Sequence, residues 1–194
     1  MFLAGKAATD ELDGTINVQV PINMRKFYPS ETVRNFALYC GIRLPIEKIT
    51  DSPELIREIT GQLVAKASRE SMNEMMHSTR NMVNALRYIP LAIKTPTARL
   101  VYGFLGDGIF SNTLSNLGVV TMPPGYAAHV QSMDFVLGTA ITNRASCSMV
   151  TFGDAATLSI TKQTKDPTFE ETLFHLLSKD GVTPHVEGSP QYEH

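Results

Sequence analysis

Residues Asn112–Val120 read NTLSNLGVV, and the rest of the chain arranges itself around them. The stretch has the look of a strand that carries the small polar groups of Thr113, Ser115 and Asn116 and stops at Gly118. A Ser-Asn pair held on a strand is a way to aim hydroxyl and amide dipoles at a ligand. The long segments on either side read as sheet or helix that would pack around this strand.

Upstream, Met1–Gly14 reads as a lead-in, with Asp10, Glu11 and Asp13 suited to an exposed turn. Thr15–Ile22 alternates: Ile16, Val18 and Val20 fall on one side, Thr15, Asn17 and Gln19 on the other, which predicts a half-buried strand. Pro21 marks its end or an edge. Asn23–Thr32 is a connecting loop with Arg25, Lys26 and Pro29. Val33–Leu44 predicts a second strand, with Phe36, Leu38, Cys40, Ile42 and Leu44 on one face and Pro45 closing it. A helix start follows: Ser52 as cap, Pro53 in the first helical position and Glu54 in the first turn. Leu55, Ile59 and Leu63, flanked by Ile56, Val64 and Ala67, form an apolar stripe that continues through Met72, Met75, Met76, Met82, Val83 and Leu86. One long helix, or two with a break near Ser68–Ser71, accounts for it. A third helix is expected from Thr95-Pro96 to the glycines 106 and 108.

Downstream, Pro123-Pro124-Gly125 is a turn, and Val130–Ala140 alternates through Met133, Phe135 and Leu137 as a strand would. Ser146–Phe152 and Ala156–Thr161 follow, separated by the tight turn Gly153-Asp154, a spacing that favours antiparallel neighbours. Asp166, Pro167, Glu170, Glu171, an apolar set of Phe169, Leu173, Leu176 and Leu177, then Lys179 and Gly181 define a last helix. Residues 182–194 read as a flexible tail. The expected fold class is α/β: residues 1–194 form one domain, a single lobe with a mixed, largely antiparallel sheet packed by helices.

A formal charge of −2 argues against a broad nucleic-acid footprint, and no apolar run approaches membrane-spanning length. Cys40 and Cys147 lie in apolar runs without metal-ligand spacing, as reduced core thiols of a cytoplasmic protein would. The five histidines (77, 129, 175, 185 and 194) form no His-x-x-x-His pair, there is no Cys-x-x-Cys, and no metal is expected. No phosphate-cradling glycine loop and no Gly-x-Ser-x-Gly elbow is present. Met72, Met75, Met76 and Met82 suit core packing or an adaptable acyl-binding channel. Arg25 with Lys26 suits a solvated loop or a phosphate contact. Met75, Met76 and Arg25 are therefore the candidate substrate-binding residues.

The order GTINVQVPINMRKFYPSETVRNFALYCGIRLP, long helices, LSNLG and then ATLSITKQ before a capped helix resembles the C-terminal half of the chloramphenicol-acetyltransferase-like superfamily, over roughly Gly14 to Gly181. That superfamily includes peptide-synthetase condensation domains and plant BAHD acyltransferases; the chain is most similar to bacterial alcohol acetyltransferase-like proteins. The resemblance implies two lobes with a tunnel between them, and an acyl group moved from a CoA thioester, acetyl-CoA, to an alcohol. It implies a His-His-x-x-x-Asp-Gly on the N-terminal lobe, whose second histidine acts as general base.

That motif is absent here. In His175…Asp180-Gly181 and His129…Asp134 the spacing is one residue too long. The expected partner is therefore a missing N-terminal lobe carrying the histidine, and the chain alone is expected to be inactive. By position, Ser115 with Asn116 beside it takes the oxyanion-stabilising role. Arg34-Asn35-Phe36-Ala37-Leu38 departs from the condensation-domain pattern, and Asp134-Phe135-Val136-Leu137-Gly138 keeps only the ends of the BAHD motif. An exposed apolar face, open to the other lobe or to self-association, is expected. The competing expectation is a non-catalytic binding or assembly module built on the same lobe.

Overall fold

A computed structural model describes residues 1–9, 14–90, 93, 95, 111–139 and 144–188. Five strands form one mixed sheet: β1 (Thr15–Asn23), β2 (Ala37–Pro45), β3 (Asn112–Val119), β4 (Ala145–Phe152) and β5 (Ala155–Thr161). Their order is β2-β1-β3-β4-β5. The outer pairs β1/β2 and β4/β5 are antiparallel, while β1/β3 and β3/β4 are parallel. The helices are α1 (Phe2–Ala7), α2 (Pro53–Lys66), α3 (Arg69–Leu86), the single turn α4 (Pro124–Ala127) and α5 (Thr168–Lys179).

The alternation in β1 settles which side of the sheet the helices take. Ile16 lies opposite Leu44, Val18 opposite Ile42 and Val20 opposite Cys40, so one face of the first hairpin is apolar throughout. Phe2 of α1 and Leu55, Ile59 and Leu63 of α2 pack there. The same face continues through Leu114, Ala145 and Cys147 under Ala4 of α1 and under Phe169 and Leu173 of α5. The lead-in thus contains a core helix, because Phe2 and Ala4 bring apolar surface to the sheet. Gly5 lets α1 approach closely: a Cβ there would come within 2.9 Å of Asn112 Nδ2.

The helix break falls where the sequence places it. Ser52 Oγ accepts from Leu55 N at the start of α2, and Ser68 Oγ accepts from Ser71 N at the start of α3. Ile56 and Val64 face solvent, so the buried stripe of α2 is narrower than the apolar set suggests. On α3, Met72 is fully buried against Met24 and Cys40, whereas Met82 and Val83 are more than half exposed. Only the first turns of α3 are anchored on the sheet. The helix expected beyond Thr95 lies outside the described residues.

Two local features shape the sheet. Pro21 sits inside β1 opposite Tyr39, yet the β1/β3 ladder covers only Val18–Asn112 and Gln19–Thr113. Proline has no N–H to give a neighbouring strand, and it stands where β3 has already left β1. At the β2 edge, side chains of α2 take over the role of a sixth strand. Arg43 N donates to Gln62 Oε1 at 3.1 Å, Gln62 Nε2 returns a bond to Arg43 O at 3.0 Å, and Lys66 Nζ donates to Gly41 O at 2.6 Å. The outward N–H and C=O of Arg43 and the C=O of Gly41 are thereby occupied.

Val130–Ala140 departs from expectation. Met133, Phe135 and Leu137 are half-buried between exposed neighbours, as the alternation predicts, but residues 130–139 join no ladder. This strap runs against the face of the sheet opposite α1, α2 and α5, held by Ser148 Oγ donating to Phe135 O and Thr161 Oγ1 donating to Leu137 O. With 25 residues between β3 and β4 and no sheet strand among the described ones, the β3/β4 pair is parallel rather than antiparallel.

The unequal anchoring of α3 gives a direct test. Met72→Ala should lower the unfolding free energy by roughly 2–5 kcal/mol in chemical denaturation, and Met82→Ala by less than about 0.5 kcal/mol. Equal losses at the two positions would contradict the burial pattern.

Candidate functional site

The sheet's far face is built of hydroxyls and amides. Register places Gln19, Thr113, Ser146 and Thr161 in one row across it, and Ser115, Ser148 and Ser159 in the next. Thr113 Oγ1 donates to Gln19 Oε1 at 3.1 Å. Ser146, Ser148 and Val150 are buried, so β4 is covered on both faces, by helices on one and the strap on the other. Toward β1 and β2 the face opens, and Tyr39 and Arg43 are exposed there.

Ser115 lies at the boundary between these zones and is half-buried. Beyond Thr113 the β1 ladder has ended, and between Asn116 and Val119 the register against β4 slips. The end of β3 thus parts from β1 while staying paired with β4 through a bulge, and Ser115, opposite Ser148, lies just past the point where β1 leaves. A hydroxyl there has polar companions in Thr113 and Gln19 and a wall of buried β4 beside it.

Asn116 does not share this environment. Successive strand residues point to opposite faces. Asn116 is exposed on the helix side, and its Oδ1 accepts from Gly118 N at 2.8 Å, forming a local turn. The side chains of Ser115 and Asn116 therefore do not converge. Met75 and Met76 belong to α3, on the opposite side of the sheet from Ser115; Met75 is exposed and Met76 half-buried. Arg25 is spent on its own loop. Its Nη2 donates to Thr32 O and to Arg34 O at 3.0 Å, and its guanidinium lies 5.8 Å from the Phe36 ring centroid. Of the five candidate site residues Ser115, Asn116, Met75, Met76 and Arg25, Ser115 alone sits on the polar face.

The sequence reading passed over Asn112. It is buried on the helix side against Gly5, and its Oδ1 has no hydrogen-bond partner among the described residues. It borders a cavity of about 20 Å³ lined also by Thr9, Thr15, Ser111 and Arg144, a space on the scale of one water molecule. A buried asparagine beside a glycine has no signature in a one-dimensional pattern.

None of the described histidines lies on a strand of the sheet. His77 on α3, His129 after α4, His175 on α5 and His185 in the tail are all exposed, and His185 pairs with Glu187. Among the described residues no group of three His, Cys, Asp or Glu side chains could hold a metal ion. No described helix is long and apolar enough to cross a membrane.

Cys40 and Cys147 are buried on the helix side. Burial pushes both thiols up, Cys147 from 9.0 to about 11. These thiols are core groups rather than nucleophiles.

No protein-family model, no curated protein and no solved structure matches the chain.

The Cys147 environment fixes the sign of an alkaline effect. The unfolded thiol ionises near 9.0 while the folded one holds its proton to about 11, so stability falls as pH rises between those values. The unfolding free energy should drop by roughly 2–3 kcal/mol more over that interval in the native chain than in Cys147→Ala. Parallel pH profiles for the two proteins would refute the assignment.

Proposed function

We propose that this chain is one lobe of a two-lobe acyltransferase that moves an acetyl or longer acyl group from a CoA thioester to an alcohol. The sheet face opposite α1, α2 and α5 forms one wall of the reaction chamber. The observation that carries the reading is Ser115, half-buried on β3 where that strand has parted from β1 but still pairs with β4, on a polar sheet face whose strands carry no histidine. The wall has hydroxyl and amide dipoles to offer and no imidazole to take a proton.

The division of labour follows from the chemistry. Attack of an alcohol on a thioester requires removal of the hydroxyl proton and stabilisation of negative charge on the carbonyl oxygen. Ser115 Oγ–H supplies the second, donating to the oxyanion as charge develops. A histidine of the His-His-x-x-x-Asp-Gly kind on a facing lobe supplies the first. Thr113 and Gln19 extend the polar strip along which the thioester lies. Met75, Met76, Arg25 and Asn116 have no part in this reading, since they face elsewhere or are engaged in local bonds.

A second reading, a binding or assembly module without catalysis, is favoured by the exposed positions of Met82 and Val83 on the unanchored end of α3. It predicts partner binding through α3 and indifference to CoA esters.

Titration of the isotopically labelled chain with acetyl-CoA, followed by backbone NMR, separates the two. The acyltransferase reading expects shifts at Gln19, Thr113 and Ser115 and no turnover by the chain alone. When a lobe bearing the histidine motif is added, transfer should appear, and Ser115→Ala should cut kcat by roughly 100-fold with the folded spectrum retained. No shift on the far face, or full activity of Ser115→Ala in the reconstituted enzyme, would sink it.

A further inference from the structure

The two edges of the sheet are treated differently. At β2, Gln62 and Lys66 occupy the outward backbone groups of Gly41 and Arg43. At β5 no side chain does the same among the described residues. The β4/β5 hairpin turns through Gly153-Asp154, with Gly153 at φ +58°, the first position of a two-residue turn that demands positive φ. Its closing pair Phe152/Ala155 exchanges backbone bonds, and so do Val150/Thr157, Ser148/Ser159 and Ser146/Thr161. Ala156, Leu158 and Ile160 then turn both N–H and C=O away from the sheet.

Such an edge usually carries a guard: a charge, a proline, a bulge or a cover. Residues Ala155–Thr161, AATLSIT, contain no charged residue and no proline, and the ladder with β4 is unbroken over seven pairs. Lys162, next in sequence, is turned inward to Glu170 and the Asp166 carbonyl. Ala155 and Ala156 are exposed and Leu158 is 37% exposed.

We infer that β5 is a pairing edge for a second copy of this chain, joined antiparallel to its own β5 across a two-fold axis at Leu158. Self-complementarity supports this occupant. With Leu158 of one copy opposite Leu158 of the other, Ala156 falls opposite Ile160, and all three are outward-facing residues, so donors meet acceptors along the whole edge. The same three side chains lie on the helix side of the sheet and place apolar atoms against apolar atoms. No charge is brought against its like. The capped β2 edge fixes the stoichiometry: a β5-to-β2 joint, which would propagate into a filament, meets Gln62 and Lys66, so association closes at two. A single strand pair buries less than a standard stable interface, which makes the dimer a weak one.

Sedimentation equilibrium of the full chain over a micromolar concentration series tests this. The apparent mass should rise with concentration from 21.3 kDa toward twice that value and no further. Leu158→Pro removes an outward N–H without touching the β4 ladder, and Leu158→Lys places like charges against each other. Each should raise the dimer dissociation constant at least about tenfold with the circular dichroism spectrum preserved. If the proline variant does not fold, the lysine variant decides. Leu158→Cys should form an intermolecular disulfide under mild oxidation by oxidised glutathione, since facing bonded residues of antiparallel strands lie about 5.5 Å apart at Cα. A native chain that stays monomeric with Leu158→Cys failing to cross-link, a dimer that Leu158→Lys leaves intact, or association that runs on past two overturns the inference.

Discussion

The constraint on which the molecule depends is that α1, α2, α5 and the first turns of α3 share one side of the sheet. Ile16, Val18, Ile42 and Leu44 make that side apolar at β1 and β2, and Ala145 and Cys147 continue it at β4. Each faces α1, α2 or α5, and burying these rows is what repays the ordering of the helices. Because strand side chains alternate, an apolar row on one face frees the positions between for polar groups on the other. The hydroxyl-rich face is thus a consequence of the core and not a separate construction. The strap of residues 130–139 covers only part of it, held by hydroxyl-to-carbonyl bonds in place of a ladder.

Where the strands stop pairing is as informative as where they pair. A central β1/β3 ladder of two residue pairs, with Pro21 just beyond it, lets β1 and β3 separate while β3 stays paired with β4. A continuous ladder would have closed the gap beside Ser115. The contrast with β2 is instructive. There α2 spends Gln62 and Lys66 to occupy an edge, whereas β5, built of small and apolar residues, is left with its backbone groups turned outward. Edge chemistry and site geometry are both set by which backbone groups the fold leaves over.

Chemically, the polar face has hydroxyl and amide donors, and none of its strands carries a histidine. A reaction that develops negative charge on an oxygen benefits from such a wall, and a reaction that needs proton removal requires a group from elsewhere. That pairing of supply and need is why the acyltransferase reading is preferred to one in which this chain acts alone. The buried thiols on the opposite side, with Cys147 pushed up to about 11, belong to packing.

The sequence by itself determined the elements. Period-two alternation marked β1 and β2, Ser52-Pro53 marked the start of α2, and Gly153-Asp154 marked the hairpin, because each is a local steric or hydrogen-bonding preference confined to a few residues. The hydroxyl of Ser115 was legible as a candidate for the same reason. Tertiary structure alone decided which neighbours those elements took. That β1 runs beside β3 and that the alternating stretch at 133–137 crosses the sheet instead of joining it follow from long-range pairing. So does the use of Gln62 on the β2 edge. These depend on contacts between residues far apart in the chain, and periodicity, which registers only what recurs nearby, carries no trace of them.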